Sequence, residues 1–444
     1  MTTVQDRPES FLSLANPVPG TRVRPDARSG PGTYPVPAGR GRWRLTLHRR
    51  QYSALPWTTT LVAELDDAYG RRLDQTFCAS AQLTFSLDGR SSSAALIQEL
   101  AQDVIAWRWD DQSGVDIPYF RGLVGQSEDQ INEDQHTLTV TCHDYLAVLG
   151  RRYLTSTLSY TTSTQDQVAA DLLAHALSEQ SSSGTSLAPG SFLPLAFSAT
   201  NPDGTARTTD VTPTRVRTYA GQSVIGTLID ELAKVQGGYD YDVVPAWRYG
   251  GPNNTDWLRV FYPASGVVRT QPLEYGGAVA SLTRSITSAD YSNYWRILGN
   301  NGSSDPAAPQ LYAEAWNSDA NDVTVTPAGL WMNAENAADV SQNLTLQQQA
   351  NGDLAIHGTL IPTYTLALVG GTYNDGAFNM GDTVPLVVNS GRLGVFTTLR
   401  IMGISFVIGD DGNEDVTLTV GRPTVDLSDM LAISESDINA LARR

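Results

Sequence analysis

Phe77-Cys78-Ala79-Ser80-Ala81-Gln82-Leu83-Thr84-Phe85-Ser86-Leu87 is the stretch that decides the fold class of this 444-residue chain. Phe77, Ala79, Ala81, Leu83, Phe85 and Leu87 fall on one side of an extended strand, and Cys78, Ser80, Gln82, Thr84 and Ser86 on the other. One dry and one wetter face is the pattern of an antiparallel sheet or a barrel wall. The same period of two begins upstream, where Trp43, Leu45 and Leu47 alternate with Arg44, Thr46 and His48. Downstream, the pattern predicts a short helix over 93–101 and a strand over 104–109. Tyr119 to Gln126 and Thr137 to His143 read as a hairpin around the acidic, polar segment Ser127 to Gln135. Asp144 is placed to cap a short helix from Tyr145 to Arg151.

A mixed region follows. Thr164 with Gln167 makes a capping-box pattern ahead of a helical stripe of Val168, Leu172, Leu173, Ala176 and Leu177. Residues 180–215, rich in Ser, Pro, Gly and Thr, read as a long loop or inserted lobe. A second helix is expected from Ser223 to Gln236, buried along Val224, Leu228, Leu232 and Val235 and ended by Gly237-Gly238. A strand starts at Tyr239, with Trp257 to Tyr262 as its partner. Strands resume at 280–287 and 293–299. Residues 300–358 read as an insertion with a polar helix near 335–350. The last strands fall at 360–369, 383–388, 396–408 and 414–421, the final pair joined by the turn Gly409-Asp410-Asp411-Gly412. No repeat of solenoid or propeller period is present.

Both ends differ from this. Pro17, Pro19, Pro25, Pro31, Pro35 and Pro37 exclude a continuous helix from residues 1–41. They form an extended arm, either disordered or laid along a partner. Residues 424–444 carry a short, weakly amphipathic helix and end in Arg443-Arg444.

Composition narrows the function. Length alone suggests about three domains. The 47 acidic residues against 30 Lys plus Arg give −17 at pH 7, and Lys234 is the sole lysine. That charge argues against nucleic-acid binding, which needs basic patches to neutralise phosphate. It fits either plain solubility or a surface that repels DNA. Two cysteines, Cys78 and Cys142, do not make a disulfide framework and read as free thiols in strands. No apolar run is long enough to span a membrane, and the N-terminus lacks a signal pattern, so synthesis and retention in a cytoplasm are expected unless the protein leaves within a larger particle.

The catalytic patterns fail one by one. Cys142-His143-Asp144 offers nucleophile, base and acid in a row, but neighbouring strand residues face opposite ways, so Cys142 and His143 do not meet. The histidines His48, His136, His143, His175 and His357 lie too far apart in sequence for a zinc motif. Asp410, Asp411, Asn413, Glu414 and Asp415, like Asp375 with Asp382, lack the alternating ligands of a calcium loop. Phosphate loops, nucleophile elbows and dinucleotide fingerprints are absent. No enzyme activity, cofactor or metal is expected. Trp43, Trp107 and Trp109 belong to apolar strand faces, whereas Trp316 and Trp331 sit in loops where a sugar-stacking role is conceivable.

Four stretches carry a resemblance. They are Tyr119-Phe120-Arg121-Gly122-Leu123-Val124 with Leu138 to Tyr145; Gly221 to Ala233 with Gly237-Gly238-Tyr239-Asp240-Tyr241; Ala280 to Arg284 with Tyr294 to Gly299; and Gly381-Asp382-Thr383-Val384 with Arg400 to Ile404 and Val416 to Gly421. In this order they resemble the tail-tip or baseplate hub proteins of long-tailed bacteriophages. The resemblance implies a β-rich α+β fold, with two tube-like antiparallel β-barrel domains flanking a mixed α/β domain, and an inserted lobe. The first barrel is placed at 42–151 and the mixed domain at 152–265. The second barrel takes 266–299 and 359–423, with Ala280–Arg284 and Tyr294–Gly299 as a strand pair and 300–358 as the inserted lobe.

It further implies a homotrimeric ring in the virion, assembled in the host cytoplasm. That ring caps the tail tube at the tail tip and contacts the distal tail protein, the tape-measure protein and a central fibre or spike. DNA passes through its lumen without sequence-specific binding. The alternative is a receptor- or glycan-binding tail protein. A tail lysin is disfavoured, because only about 20 residues follow the last barrel strand, too few for a domain with its own core.

Overall fold

The computed structural model describes residues 43–421, apart from 52–57, 111–113, 178–192, 199–213, 235–237, 250–254, 263, 287, 290, 301–308, 318–328, 338–339, 361, 371–372, 374–377 and 411–412. The N-terminal arm, the C-terminal helix, most of 180–215, Val235, Gly237, Asp375 and Asp411 lie outside the described residues.

Strands dominate. The first block runs β1 (Trp43–Gln51), β2 (Thr58–Glu64), β3 (Tyr69–Thr76), β4 (Gln82–Asp88), β5 (Gln102–Asp110), β6 (Val115–Ile131) and β7 (His136–His143). The mixed region holds α1 (Tyr145–Leu149), β8 (Leu158–Thr164), α2 (Gln165–Leu177), β9 (Leu195–Phe197), β10 (Thr214–Tyr219), α3 (Ile225–Lys234), β11 (Asp240–Pro245) and β12 (Asp256–Phe261). Then come β13 (Leu273–Glu274), β14 (Val279–Ser285), β15 (Tyr294–Gly299), β16 (Tyr312–Trp316), β17 (Met332–Ala337), α4 (Asn343–His357), β18 (Thr363–Leu368), β19 (Thr383–Ser390), β20 (Leu393–Ile408) and β21 (Glu414–Gly421).

Thirteen strands form one sheet along the path β14-β18-β21-β20-β3-β4-β7-β6-β5-β1-β2, with β19 and β13 branching from β20. The two β blocks are therefore not separate. They meet where β3 pairs antiparallel with β20, from Gly403–Thr76 to Ile408–Arg71. Among the described strands the path does not close on itself. One core serves both blocks: Trp43, Leu83, Phe85 and Val140 share it with Tyr364, Leu366, Phe406 and Val420. At the seam Trp43, Tyr119 and Tyr373 surround Phe406, with ring centroids 5.2–5.3 Å from it.

This sheet contains an internal duplication that sequence inspection did not show. Strands β3-β4-β7-β6-β5 and β14-β18-β21-β20-β19 are five-stranded units with the same order and the same antiparallel pairings. In each, one long strand changes partner half-way. β6 pairs with β5 up to Leu123 and with β7 from Leu123 onward, shifting register between Val124 and Gln126. β20 pairs with β19 up to Arg400 and with β21 from Arg400 onward, shifting between Ile401 and Gly403. A bulge bends a strand and raises its twist, which is how a long strand turns a corner.

Several boundaries differ from the sequence reading. The decisive stretch starts its strand only at Gln82. Ala81, Leu83, Phe85 and Leu87 are buried as read, but residues 77–80 form a turn with Cys78 at φ 51°. Phe77 lies under the Arg400 guanidinium, 4.2 Å away, instead of in a strand face. The helix expected at 93–101 shrinks to one 3₁₀ turn, Ala94–Leu96. Gln102 closes it through Gln98 N and Leu96 O, and Leu100 at φ 59° cannot continue a helix. The polar segment 127–131, read as a loop, extends β6.

The expected pair of 280–287 with 293–299 does not form. β14 pairs with β18, whereas β15 pairs with β16 and β17 inside the lobe. The reason is side-chain burial: Trp295 and Ile297 bury against Ala313, Ala315, Leu346 and Ala350. The lobe helix is displaced to Asn343–His357, because 332–337 is taken up as β17. In the mixed region α2 buries Val168, Leu172, Leu173 and Ala176, and α3 buries Ile225, Leu228, Ile229 and Leu232. β9, unanticipated, pairs parallel to β12.

Candidate functional site

The polar chemistry concentrates at the two corners where β6 and β20 change partners. An ionised group in a protein interior needs a counter-charge and hydrogen bonds to offset lost hydration, so strands that bury arginine must bury carboxylates too. At the first corner Asp103, fully buried on β5, accepts from Arg50 Nε (2.8 Å), Arg121 Nη2 (2.9 Å) and Tyr145 Oη (2.7 Å). Burial alone would raise its pKa, but the Arg121 and Arg50 charges together outweigh that and hold the carboxyl below its ordinary value. Arg50 also donates to Tyr145 Oη at 2.8 Å. Asp256 of β12 stands 3.6 Å from Arg121 Nη1, and neither of its oxygens accepts a hydrogen bond from the described residues. Burial pushes its pKa to about 8, and Arg121, already committed to Asp103, lowers it too little to compensate. His48 is pushed down to about 4 by burial and by the Arg121 charge, so it is neutral at pH 7.

At the second corner Arg400 bonds Asp240 of β11, Gly381 O (3.0 Å) and Ser265 O (3.0 Å). Beside it Asp382, 1% exposed, accepts from Arg269 Nε (2.7 Å), Val267 N (2.9 Å) and Asn379 N (2.9 Å). The mixed region thus touches both corners, through β12 at one and β11 at the other. A third buried set ties β21 to β5 and β1 across the sheet: Glu414 accepts from Arg108 Nη2 (2.5 Å) and from Trp43 Nε1 (2.6 Å). These sets brace joints; none brings a nucleophile, a base and an open cavity together.

The candidate triad is taken apart by the fold. Cys142 is buried in the core, and burial raises its thiol pKa. His143 lies on the other face of β7. Asp144 caps α1 through Leu146 N (3.1 Å) and accepts from Ser80 Oγ (2.6 Å) and Ala81 N (2.8 Å). An open cleft of about 920 Å³ runs beside it, lined by Leu123, Gln126, His143, Ala147, Arg151 and Tyr153. Among the described residues no group of three or more His, Cys, Asp or Glu is arranged to hold a metal ion, and no helix is long and apolar enough to cross a membrane. Asp382 and Glu414, weighed above as calcium-loop carboxylates, are ion-pair partners of Arg269 and Arg108.

Of the loop tryptophans, Trp316 ends β16. It is 53% exposed and stacks on Tyr294 with centroids 6.3 Å apart and planes 20° from parallel. Beside them Glu314 accepts from Arg296 Nε at 2.8 Å, and Arg296 lies 5.1 Å from the Tyr312 ring. Trp331 meets Tyr291 edge-on at 5.9 Å.

No protein-family model matches this chain, and no curated protein matches it. Solved structures do. A tail protein from Neisseria meningitidis MC58 superposes with a TM-score of 0.51 at 14% identity, covering 87% of this chain and 98% of that one. Prophage tail protein gp18 from Listeria monocytogenes EGD-e gives 0.50 at 11%, covering 88% and 98%. The 43 kDa tail protein of prophage MuSo2 from Shewanella oneidensis gives 0.50 at 12%, covering 86% and 99%. The fold is that of phage tail proteins. At such identities the tail-protein likeness extends to nearly the whole architecture but assigns no residue a role.

Proposed function

We propose that this chain is a structural subunit of a phage tail hub. Three copies form a ring that caps the tail tube in the virion, joins the distal tail protein to a central fibre or spike, and encloses part of the DNA path. The observation that carries this reading is the duplicated five-stranded unit. Three chains bearing two like units each present six similar faces, matching a six-fold tube from a three-fold ring. In this reading the chain divides into a first barrel (42–151), a mixed domain (152–265), a second barrel (266–299 and 359–423) and a lobe (300–358); the mixed region and the lobe, to which β15 is reassigned, each have a buried cluster of their own, while the two barrels share one. Closure of each unit into a barrel belongs to the assembled ring in this reading. The net charge of −17 suits a lumen that DNA must not adhere to. No enzymatic step is assigned.

Mass measurement of the purified protein with negative-stain imaging tests this. A ring of three copies is expected, and a compact monomer binding a glycan in a cleft sinks it. A receptor- or glycan-binding role is favoured by one observation, the exposed Trp316–Tyr294 stack beside Arg296 and Glu314. Cell-wall pulldown that is lost on Trp316→Ala supports that second reading, and unchanged or absent binding removes it.

A further inference from the structure

The duplication leaves one strand edge filled and its counterpart empty. In the second unit, the far half of β20 has β21 on one edge and β3 on the other. In the first unit, the far half of β6 has β7 on one edge. Its other edge, beyond the hydrogen bond from Leu100 N to Val124 O, has no strand partner among the described residues over 126–131. The registers are the same in both. Leu123–His143, Val124–Cys142 and Gln126–Thr141 correspond to Arg400–Gly421, Ile401–Val420 and Gly403–Thr419, with the shift at the same place.

The strand that fills the edge in one unit also has an idle twin. β3, which seals β20, corresponds to β14: each pairs with the second strand of its unit and each shifts register near its start. β14 ends the sheet path, and from residue 281 to 285 its outer edge carries no strand among the described residues. An open strand edge is a template for another chain.

We propose that β14 of one copy pairs antiparallel with residues 126–131 of β6 in the next copy. This repeats between molecules the β3–β20 joint that exists inside each. The inference rests on the ring reading and specifies its contact. Through β21 and β7, then β18 and β4, Arg284 takes the place of Leu73 and Asp129 that of Phe406. Since Leu73 faces Phe406 in the internal joint, Arg284 faces Asp129 of the next copy. The neighbouring pairs are Leu282 with Ile131, Thr283 with Gln130, and Ser285 with Glu128.

The side chains suit this register. Ile131 is 69% exposed, an apolar residue at the solvent end of a strand. Leu282 on the opposing edge is half-buried against its own core. Arg284 is exposed and has no ion-pair partner among the described residues, while β14 contains no acid. The β6 edge contributes Glu128 and Asp129, with Glu99 bonded to Ser127 adding a third carboxylate; the base beside them is His136 of β7, whose Nε2 lies 2.7 Å from Asp129 Oδ1. Cross-strand opposite charges and apolar pairs both favour pairing. The two edges are different surfaces, so the contact is head-to-tail, and such contacts close into rings when the rotation allows.

Paired cysteines test the register. Residues directly opposite on antiparallel strands lie within disulfide reach. On mild oxidation the double variant Arg284→Cys with Asp129→Cys should give a covalent ladder that stops at the closed ring and collapses under reductant. Thr283→Cys with Asp129→Cys, whose side chains face opposite ways, should give little. The parent chain is the blank, because Cys78 and Cys142 are free thiols, the first half-buried and the second buried. As a second arm, Arg284→Glu should abolish the ring, and adding Asp129→Arg should restore it. A ring whose matched cysteines stay reduced, or cross-link no better than the mismatched pair, overturns the joint and leaves the ring reading standing. A chain that stays monomeric at every soluble concentration overturns both.

Discussion

Replacing Asp103 by alanine removes the one carboxylate that two buried guanidinium groups share. The Arg50 and Arg121 side chains are 6% and 1% exposed, so water cannot take its place. Removing one partner of a buried ion pair costs about 3–5 kcal/mol. Two contacts soften the loss here. Arg50 keeps Tyr145 Oη at 2.8 Å, and Arg121 keeps Asp256 at 3.6 Å, which then becomes easier to ionise. The lower end, about 3 kcal/mol, is therefore expected. At roughly 2–4 °C per kcal/mol for a large cooperative unit, Tm falls by about 6–12 °C.

Urea unfolding followed by tryptophan fluorescence at pH 7 measures the loss, and a double-mutant cycle with Arg121→Met measures the coupling. A cost below about 1 kcal/mol, or strict additivity with Arg121→Met, refutes the reasoning, since contacting residues in one network should couple. The pH dependence has a definite sign. Asp103 has its folded pKa depressed, so its contribution is fully present above the unfolded value near 3.8. It is lost as the pH falls through the lower folded value.

Asp256 should behave in the opposite sense. Its folded pKa of about 8 lies above the unfolded 3.8, so stability declines as pH rises between them, at no more than about 1.4 kcal/mol per pH unit. Asp256→Asn should flatten that slope in urea titrations and stabilise the protein at pH 8; an unchanged slope rejects this. Asp353 of α4 is held near 7 by burial and by Glu335, against the opposing charge of Lys234. Its ionisation should loosen the lobe as pH rises through 7, seen as faster amide exchange in α4 at pH 8 than at pH 6 beyond the intrinsic change. Asp353→Asn should remove the difference. Both thiols should resist a thiol-specific reagent at pH 8 until denaturant is added, because burial raises Cys78 to about 12 and raises Cys142 as well. Labelling of the native protein at the rate of a free thiol contradicts this.

Much of the architecture was legible in local pattern. Alternation over Ala81–Leu87 and Leu138–Cys142 marked buried strand faces, and Asp144 was recognisable as a helix cap. Periodicity records which way a side chain points. It does not record which strand lies alongside. That is why Tyr294–Gly299 was given the wrong neighbour and the polar residues 127–131 were taken for a loop. The ion clusters were equally hidden, since Asp103 and Arg121, or Asp240 and Arg400, are distant in sequence and have no spacing that marks them.

The opening stretch, Phe77 to Leu87, shows the division clearly. Its residues alone determined a strand with one dry face, because backbone geometry fixes a two-residue period wherever a strand forms. They also determined, with the rest of the chain, an acidic protein without a catalytic pattern. Only the tertiary structure decided where that strand begins: residues 77–80 turn the chain from β3 into β4, and Arg400, distant in sequence, covers the Phe77 ring. The resemblance implied two like barrels, but only the tertiary structure decided the strand order and registers that the two units share. The two units share pairings and registers but little sequence, since hydrogen bonds between backbones fix register without requiring particular side chains.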